Sequence, residues 1–406
     1  MIVDAPGPVL ATSNKRDLAD LTRGVREKEG SVFIFDPSNI YRQAPSMSWN
    51  PLSYIRADYG YRGSPVARAD LLSGVFGDAG RAGDTRRTAG SDPFFDAKGD
   101  ELRSDVLLAA ALKPGGTLRD AYRWLTSANS LEPKGILEGA GYMLAAKDYE
   151  EKVSLPHQTK GGVWACALQG LGFVRDDSVA PWYIPDGSRQ SFDPVSFVSS
   201  RADTLYALSR NGASTSPLVS ALTAVVAEAG EQLSDDCGGR VPLPVMFVLD
   251  EAINTTPWQE IPKRVSHYGS RGLLLQVIVQ TYSQAEAVWG KLGVDTLFSS
   301  SNIAMYMGGV KETRVLQDLS QLIGSERRDQ VSFSTSQGHR TRSRVKDAQL
   351  IPIATVDELA ALPDGRAWLF ASKSRPVYVA LCPWYEQKYA AEVEASRAKY
   401  GEVLAR

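Results

Sequence analysis

Residues 245–252 read Val245-Met246-Phe247-Val248-Leu249-Asp250-Glu251-Ala252. Five apolar residues in a row are short for a helix and suit a strand covered on both faces, as central strands of parallel sheets are. The run stops at two carboxylates. A parallel strand would therefore deliver Asp250 and Glu251 to the carboxyl edge of its sheet, where open α/β sheets bind their ligands. In nucleotide hydrolases an aspartate so placed holds the magnesium shell, and a neighbouring acid orients the attacking water. The same spelling also arises at ordinary strand ends that finish in two solvated acids.

Working outward, Leu273 to Val279 is a second such strand and ends at Gln280. Neighbouring parallel strands bring their ends to one crevice, so Gln280 is a candidate to stand near Glu251 and sense a terminal phosphate. Between the two strands, Tyr268-Gly269-Ser270-Arg271-Gly272 reads as a turn, whose Arg271 either decorates the surface or reaches a neighbouring subunit's phosphate as an arginine finger. Asn302 to Met307 is a third strand, and Ala367 to Ala371 with Pro376 to Leu381 are two closing strands. At the other end of the chain, Pro8 to Ser13 and Ser31 to Phe35 flank a charged helix from about Arg16 to Lys28, the unit of a parallel α/β sheet.

The middle reads differently. Gly77 to Ser91 is rich in Gly, Arg and Asp and is expected to be an exposed loop. From Pro93 to about Phe173 apolar residues recur at helical spacing, as in Leu102, Val106, Ala109 and Ala110. The expectation is an all-helical subdomain inserted into an α/β domain. Ser216-Pro217 then opens a helix with Leu218, Leu222, Val225, Val226, Ala229 and Leu233 on one face.

The chain has 406 residues, a formal net charge of −2 and 43% hydrophobic residues, a globular composition. Three separated cysteines and three separated histidines exclude a disulfide framework, a zinc ribbon and a His-based metal site. No secretory signal and no uninterrupted apolar run of membrane-spanning length appears. Between Glu326 and Lys346 six basic residues, Arg327, Arg328, Arg340, Arg342, Arg344 and Lys346, face two acidic ones. Such a stretch is either a solvated hairpin or a contact for a phosphate backbone. The phosphate-cradling motif G-x-x-x-x-G-K-[ST] occurs nowhere.

Further pieces join these in order: Gly7-Pro8-Val9-Leu10-Ala11-Thr12-Ser13-Asn14-Lys15-Arg16-Asp17-Leu18, Phe35-Asp36-Pro37, Ser48-Trp49-Asn50-Pro51-Leu52, Phe94-Phe95, Gln280-Thr281-Tyr282-Ser283-Gln284, Trp289-Gly290, Asp318-Leu319-Ser320 and Leu362-Pro363-Asp364-Gly365. Together with Val248 to Ala252, the series resembles the type IV secretion coupling proteins, the TraG/TraD-like conjugative DNA-transfer ATPases. The resemblance implies a RecA-like P-loop NTPase-type parallel sheet flanked by helices, with an inserted all-helical subdomain. It divides the chain into 1–90 (first part of the RecA-like domain), 91–175 (helical insertion) and 176–406 (second part), with a TraM or relaxosome-recognition segment at 242–370.

By the same resemblance the family works as a homo-hexamer at the cytoplasmic face of the cell membrane. It uses ATP and Mg2+, links the relaxosome and its relaxase to the secretion channel proteins, and drives single-stranded DNA through. Asp250 and Glu251 take the Walker B roles, with Asp250 in the magnesium shell, and Gln280 matches the sensor glutamine. Arg271 matches the finger arginine less closely, because in some members it falls where this chain has Gly269. Arg340, Arg342, Arg344 and Lys346 are the DNA-binding candidates. In the family the phosphate loop opens a helix of about three turns running into the Ala-Pro-Gly before Val9. Met1 to Asp4 looks like the tail of that helix, so the expectation is a chain without its Walker A segment and membrane anchor, incomplete at the N-terminus and inactive alone. Two alternatives stand beside the ATPase: a catalytically silent DNA- and partner-binding subunit of the same apparatus, and another RecA-like DNA translocase. Trp49-Asn50-Pro51-Leu52 and the position of the insertion argue against the last.

Overall fold

The computed structural model describes residues 1–82, 93–210, 212, 214–328, 331–336, 339–344 and 349–401. Its centre is a five-stranded sheet of β1 (Val9–Ser13), β2 (Val32–Phe35), β3 (Thr204–Leu208), β4 (Val245–Leu249) and β5 (Leu273–Val277), in the order β2-β3-β1-β4-β5. Every neighbouring pair is parallel. Side chains alternate across the pleat. Leu10, Leu205, Phe247 and Leu249 enter a large core on one face, and Val9, Ala11, Tyr206 and Val248 enter a smaller core on the other. Helix α1 (Asp17–Arg26) covers the second face. The expected parallel sheet flanked by helices is what the chain forms.

Strand β3 has no counterpart in the sequence reading, yet it is wholly buried between β1 and β2. Arg26, 1% exposed, ties the β1 and β3 starts together. Its guanidinium donates to the carbonyl oxygens of Ala5, Gly7 and Ala202 and to Thr204 Oγ1, at 2.8–3.0 Å.

Helices fill the described chain from Pro51 to Ser199, apart from the two-residue strand Gln190–Ser191. The largest are α2 (Pro65–Ala82), α3 (Pro93–Leu112) and α4 (His157–Leu168). Residues 77–82 were expected in a loop but form the last turns of α2, while 83–92 lie outside the described residues. The glycines there serve close packing. A Cβ on Gly80 would lie 2.3 Å from the backbone nitrogen of Gly170. Fully buried Arg103 joins these helices, donating to the carbonyls of Ala167 at 2.9 Å and Ser73 at 2.8 Å and pairing with Asp100 at 2.7 Å.

Helix α5 (Ser216–Asp236) returns the chain to the sheet, and α6 (Ile261–Arg271) precedes β5. Tyr268 to Arg271 is therefore the end of a helix, closed by left-handed Gly272 (φ 81), where a turn was expected. After β5, helix α7 (Tyr282–Ser300) leads to β6 (Ile303–Tyr306), and α8 (Thr313–Ile323) follows. Two antiparallel pairs come next. The strand β7 (Ser325–Arg328) pairs with β10 (Gln349–Pro352), and β8 (Val331–Ser336) pairs with β9 (His339–Arg344). The closing strands β11 (Arg366–Ala371) and β12 (Val377–Ala380) join β6 in an antiparallel sheet ordered β12-β11-β6. Tyr306, Val315, Leu316, Leu319 and Leu359 form the third core beneath that sheet. Last comes α9 (Ala390–Gly401), which the sequence reading did not anticipate and which packs along α1, where Ser396 Oγ accepts from Gly24 N at 2.8 Å and donates to Asp20 O at 2.7 Å. Among the described residues no helix is long and apolar enough to cross a membrane.

Candidate functional site

The carboxyl ends of β1, β4 and β5 meet because the strands are parallel neighbours in register, Thr12 beside Leu249 and Leu249 beside Val277. Backbone bonds carry the register past the strand ends, with Asp250 N donating to Thr12 O at 3.2 Å and Ala252 N to Ile278 O at 3.0 Å. Glu251 takes a left-handed backbone (φ 47, ψ 49), a conformation that costs a side-chain-bearing residue free energy and persists only where its surroundings enforce it. Thr255 provides part of that enforcement. Its hydroxyl donates to Asp250 O at 2.9 Å and exchanges a 3.2 Å hydrogen bond with the Thr12 hydroxyl.

The strained turn aims the Glu251 carboxylate back over the sheet edge, between amides from three segments. Gln280 Nε2 donates to Oε1 at 3.0 Å. Asn14 Nδ2 donates to Oε2, and Asn254 Nδ2 donates to the same oxygen at 3.2 Å. Ser13 Oγ donates to Asp250 Oδ2 at 3.1 Å. Burial pushes the Asp250 carboxyl above its usual range, the Ser13 hydrogen bond opposes the shift, and the nearby Glu251 charge adds to it. A carboxylate desolvated beside a second one favours a cation in its neighbourhood, and carboxylate and hydroxyl oxygens are the donors that Mg2+ accepts. Among the described residues there is no group of three or more His, Cys, Asp and Glu side chains fit to hold a metal by themselves.

Three of the residues singled out in the sequence, Asp250, Glu251 and Gln280, are thus brought together. Arg271 is not. It lies at the amino end of β5, the opposite sheet edge, where its guanidinium pairs with Asp235 at 2.5 Å. Arg340, Arg342 and Arg344 occupy alternate positions of β9, in register with Thr335, Phe333 and Val331 of β8. Lys346 lies outside the described residues. Ser13 and Asn14 were quoted in the sequence series without a role. Their signal is the change from apolar to polar at the end of β1, and its meaning rests on β1 lying beside β4.

Residues 244–364 match a family model described as the TraM recognition site of TraD and TraG. Among solved structures, the chain is similar to the bacterial conjugative coupling protein TrwBdeltaN70 in its unbound monoclinic form, with TM-score 0.59 and 17% identity over 95% of this chain and 86% of that one. It is equally similar to the plasmid coupling protein TrwB in complex with the non-hydrolysable GTP analogue GDPNP, with TM-score 0.59 and 16% identity over 96% and 87%. For TrwB in complex with ADP and Mg2+ the values are 0.57 and 17% over 94% and 86%. No curated protein sequence matches the chain. Residues 244–364 are therefore similar to the TraM recognition site of TraD and TraG, and the chain shares its fold with the solved conjugative coupling proteins.

Proposed function

We propose that this chain is the motor part of a coupling protein in a conjugative type IV secretion system, linking the relaxosome to the transfer channel and driving single-stranded DNA by ATP hydrolysis. The observation that carries the reading is the Glu251 carboxylate held between Asn14 and Gln280 beside a desolvated Asp250. On this reading Asp250 belongs to the Mg2+ shell, Glu251 orients the attacking water, and Gln280 reports on the terminal phosphate through its bond to Glu251. Bound ATP and Mg2+ supply the phosphoryl chemistry. Arg271, paired with Asp235 at the other sheet edge, has a role only toward a neighbouring subunit of a hexamer. The segment 244–364 meets a relaxosome protein, and the arginines of β9 contact the DNA backbone without reading sequence. The site works at the inner face of the membrane, beside the channel proteins.

A second reading, a catalytically silent DNA- and partner-binding subunit, is favoured by one observation: residues 1–406 contain no G-x-x-x-x-G-K-[ST]. Two carboxylates alone do not hold a triphosphate. ATP turnover should therefore be measured on the 406-residue chain alone and with a segment bearing that motif supplied. The chain alone is expected to show none, and robust turnover by it that Glu251→Gln abolishes would overturn that expectation. Turnover gained with the segment and lost in Glu251→Gln supports the motor. No turnover in either form, with salt-dependent binding of single-stranded DNA retained, supports the silent subunit. Neither turnover nor DNA binding would sink both.

A further inference from the structure

The last turns of α5 line a cavity of about 250 Å³. Asp235 belongs to its lining, and its partner Arg271 stands at the amino end of β5, so the cavity lies at the sheet edge away from Glu251. Tyr54, in the short helix Pro51–Arg56, and Tyr61, in the loop after it, also line it, their rings edge to face with centroids 4.7 Å apart. Gln232 of α5 fastens that loop. Its amide nitrogen donates to Gly60 O at 3.1 Å, and its oxygen accepts from Arg62 N at 3.0 Å. Arg68, 5% exposed, holds the loop's other carbonyls, donating to Ile55 O at 2.8 Å, Arg62 O at 2.9 Å and Gly63 O at 2.6 Å.

Two independent features of this cavity ask for a ligand. The first is charge. Glu228 and Glu231 both accept from one nitrogen, Arg264 Nη1, at 2.6 Å, and the same nitrogen donates to the Tyr268 hydroxyl at 3.0 Å. Asp235 pairs with Arg271, and Asp236 with Arg62. Four carboxylates of α5 thus share three guanidinium groups, in a helix whose last turn has no basic residue and whose free carbonyls add negative potential. Burial holds the Glu228 carboxyl above its usual range, Arg264 opposes the shift, and the Glu231 charge adds to it. The second feature is a hydroxyl. Tyr61 is 7% exposed, and its buried oxygen has no hydrogen-bond partner, where buried hydroxyls ordinarily find one. Burial raises the pKa of Tyr54 and Tyr61, and the Glu228 charge raises both further, so both hydroxyls stay neutral within the field of that carboxylate.

We infer that this cavity binds a primary ammonium group on a short alkyl stem, with the Tyr61 hydroxyl and the Glu228 and Glu231 carboxylates as acceptors and the two tyrosine rings against the stem. An ammonium has three donors and no acceptor. It gives the fourth carboxylate of α5 a cation of its own and the Tyr61 oxygen the donor it lacks. Aromatic rings favour an organic cation beside them. A metal ion suits the cavity less, since the described residues include no group of three or more His, Cys, Asp and Glu side chains fit to hold one. The ammonium comes either from a free alkylamine or from a lysine side chain of another polypeptide. Both present the same head group.

The test is calorimetric titration of the 406-residue chain with butylammonium chloride, at an ionic strength held constant with sodium chloride. Saturable binding of one amine per chain is expected. Tyr61→Phe removes only the unpartnered hydroxyl, so it should keep the wild-type Tm and weaken the amine by about tenfold, the scale of a hydrogen bond to a charged group. Glu228→Gln should weaken it at least as much. Tetramethylammonium, with the same charge and no N–H donor, should not compete. A second titration uses a tripeptide with a central lysine and blocked ends. Tighter binding of the peptide than of butylammonium supports the site and assigns it to a polypeptide lysine, and tighter binding of butylammonium supports it and assigns it to a free amine. No saturable binding, equal competition by tetramethylammonium, or an affinity unchanged in both variants would overturn the inference. So would a lowered Tm in Tyr61→Phe, which would show that the hydroxyl already serves the fold.

Discussion

Gln280 Nε2 stands 3.0 Å from Glu251 Oε1, joining residues 29 positions apart in the chain but one strand apart in the sheet. Asn14 approaches the other oxygen of the same carboxylate from the far side. A carboxylate held by amides on both oxygens keeps one orientation, which is what a residue that positions water requires. In a form that hydrolyses ATP, Asn14→Ala and Gln280→Ala are each expected to lower kcat by up to about 100-fold with little change in KM, since misplaced catalytic groups cost on that scale. Steady-state kinetics check this. An effect confined to KM would show that the amides serve binding instead.

Arg26 gives its buried charge to neutral acceptors, the carbonyls of Ala5, Gly7 and Ala202 and the Thr204 hydroxyl. Burial lowers its pKa. Arg26→Ala strands those acceptors and opens a cavity, and should cost about 3 kcal/mol or more in urea unfolding. Arg26→Lys should rescue only part, because an ammonium cannot reproduce the planar fork.

Asp36, 2% exposed at the end of β2, accepts from Ile40 N at 2.9 Å and Tyr41 N at 2.6 Å. Burial pushes its pKa up to about 6 despite those bonds. A carboxyl raised above its unfolded value favours the folded state when protonated. Its contribution is fully present below about pH 4 and is lost as pH rises through about 6. The stability of the wild-type chain relative to Asp36→Asn should therefore fall across that window by at most about 3 kcal/mol, at 1.36 kcal/mol per unit. Urea titrations of both proteins at several pH values give the difference. A rise with pH would contradict the assignment.

Gly170 has φ +82, and a Cβ there would lie 1.9 Å from Phe76 O. Gly170→Ala combines a strained backbone with a clash against main chain that has no rotamer to yield. A loss of about 2 kcal/mol or more is expected in thermal or urea unfolding, against a near-neutral Gly135→Ala, where nothing lies within 4 Å.

Arg340, Arg342 and Arg344 alternate along β9. If they meet phosphates, changing all three to Ala should flatten the slope of log affinity against log salt for single-stranded DNA by about 2, at roughly 0.7 for each phosphate no longer neutralised. Fluorescence anisotropy at several salt concentrations measures it. An unchanged slope would assign the hairpin to another partner.

The sequence by itself determined the strands written as short apolar runs with a clear polar stop, β1, β2, β4 and β5. Val245 to Leu249 carries its burial in its composition and ends at an unmistakable pair of acids. It also determined the helical character of 93–173, because a periodic apolar face is local information. Other features depended on neighbours distant in sequence. Thr204-Leu205-Tyr206-Ala207-Leu208 is short and mixed, and it becomes a central strand only through pairing with β1 and β2. Gly77 to Ala82 looked like a loop because its glycines, of which Gly77 admits the Asp100 and Arg103 side chains and Gly80 the chain at Gly170, are also what loops use. The sheet order made Asn14 a partner of Glu251 and carried Arg271 to the opposite edge. Strand ends separated by more than 200 residues converge because parallel pairing aligns them. That alignment is set by which strands are neighbours, a property of the packed sheet that no single segment encodes.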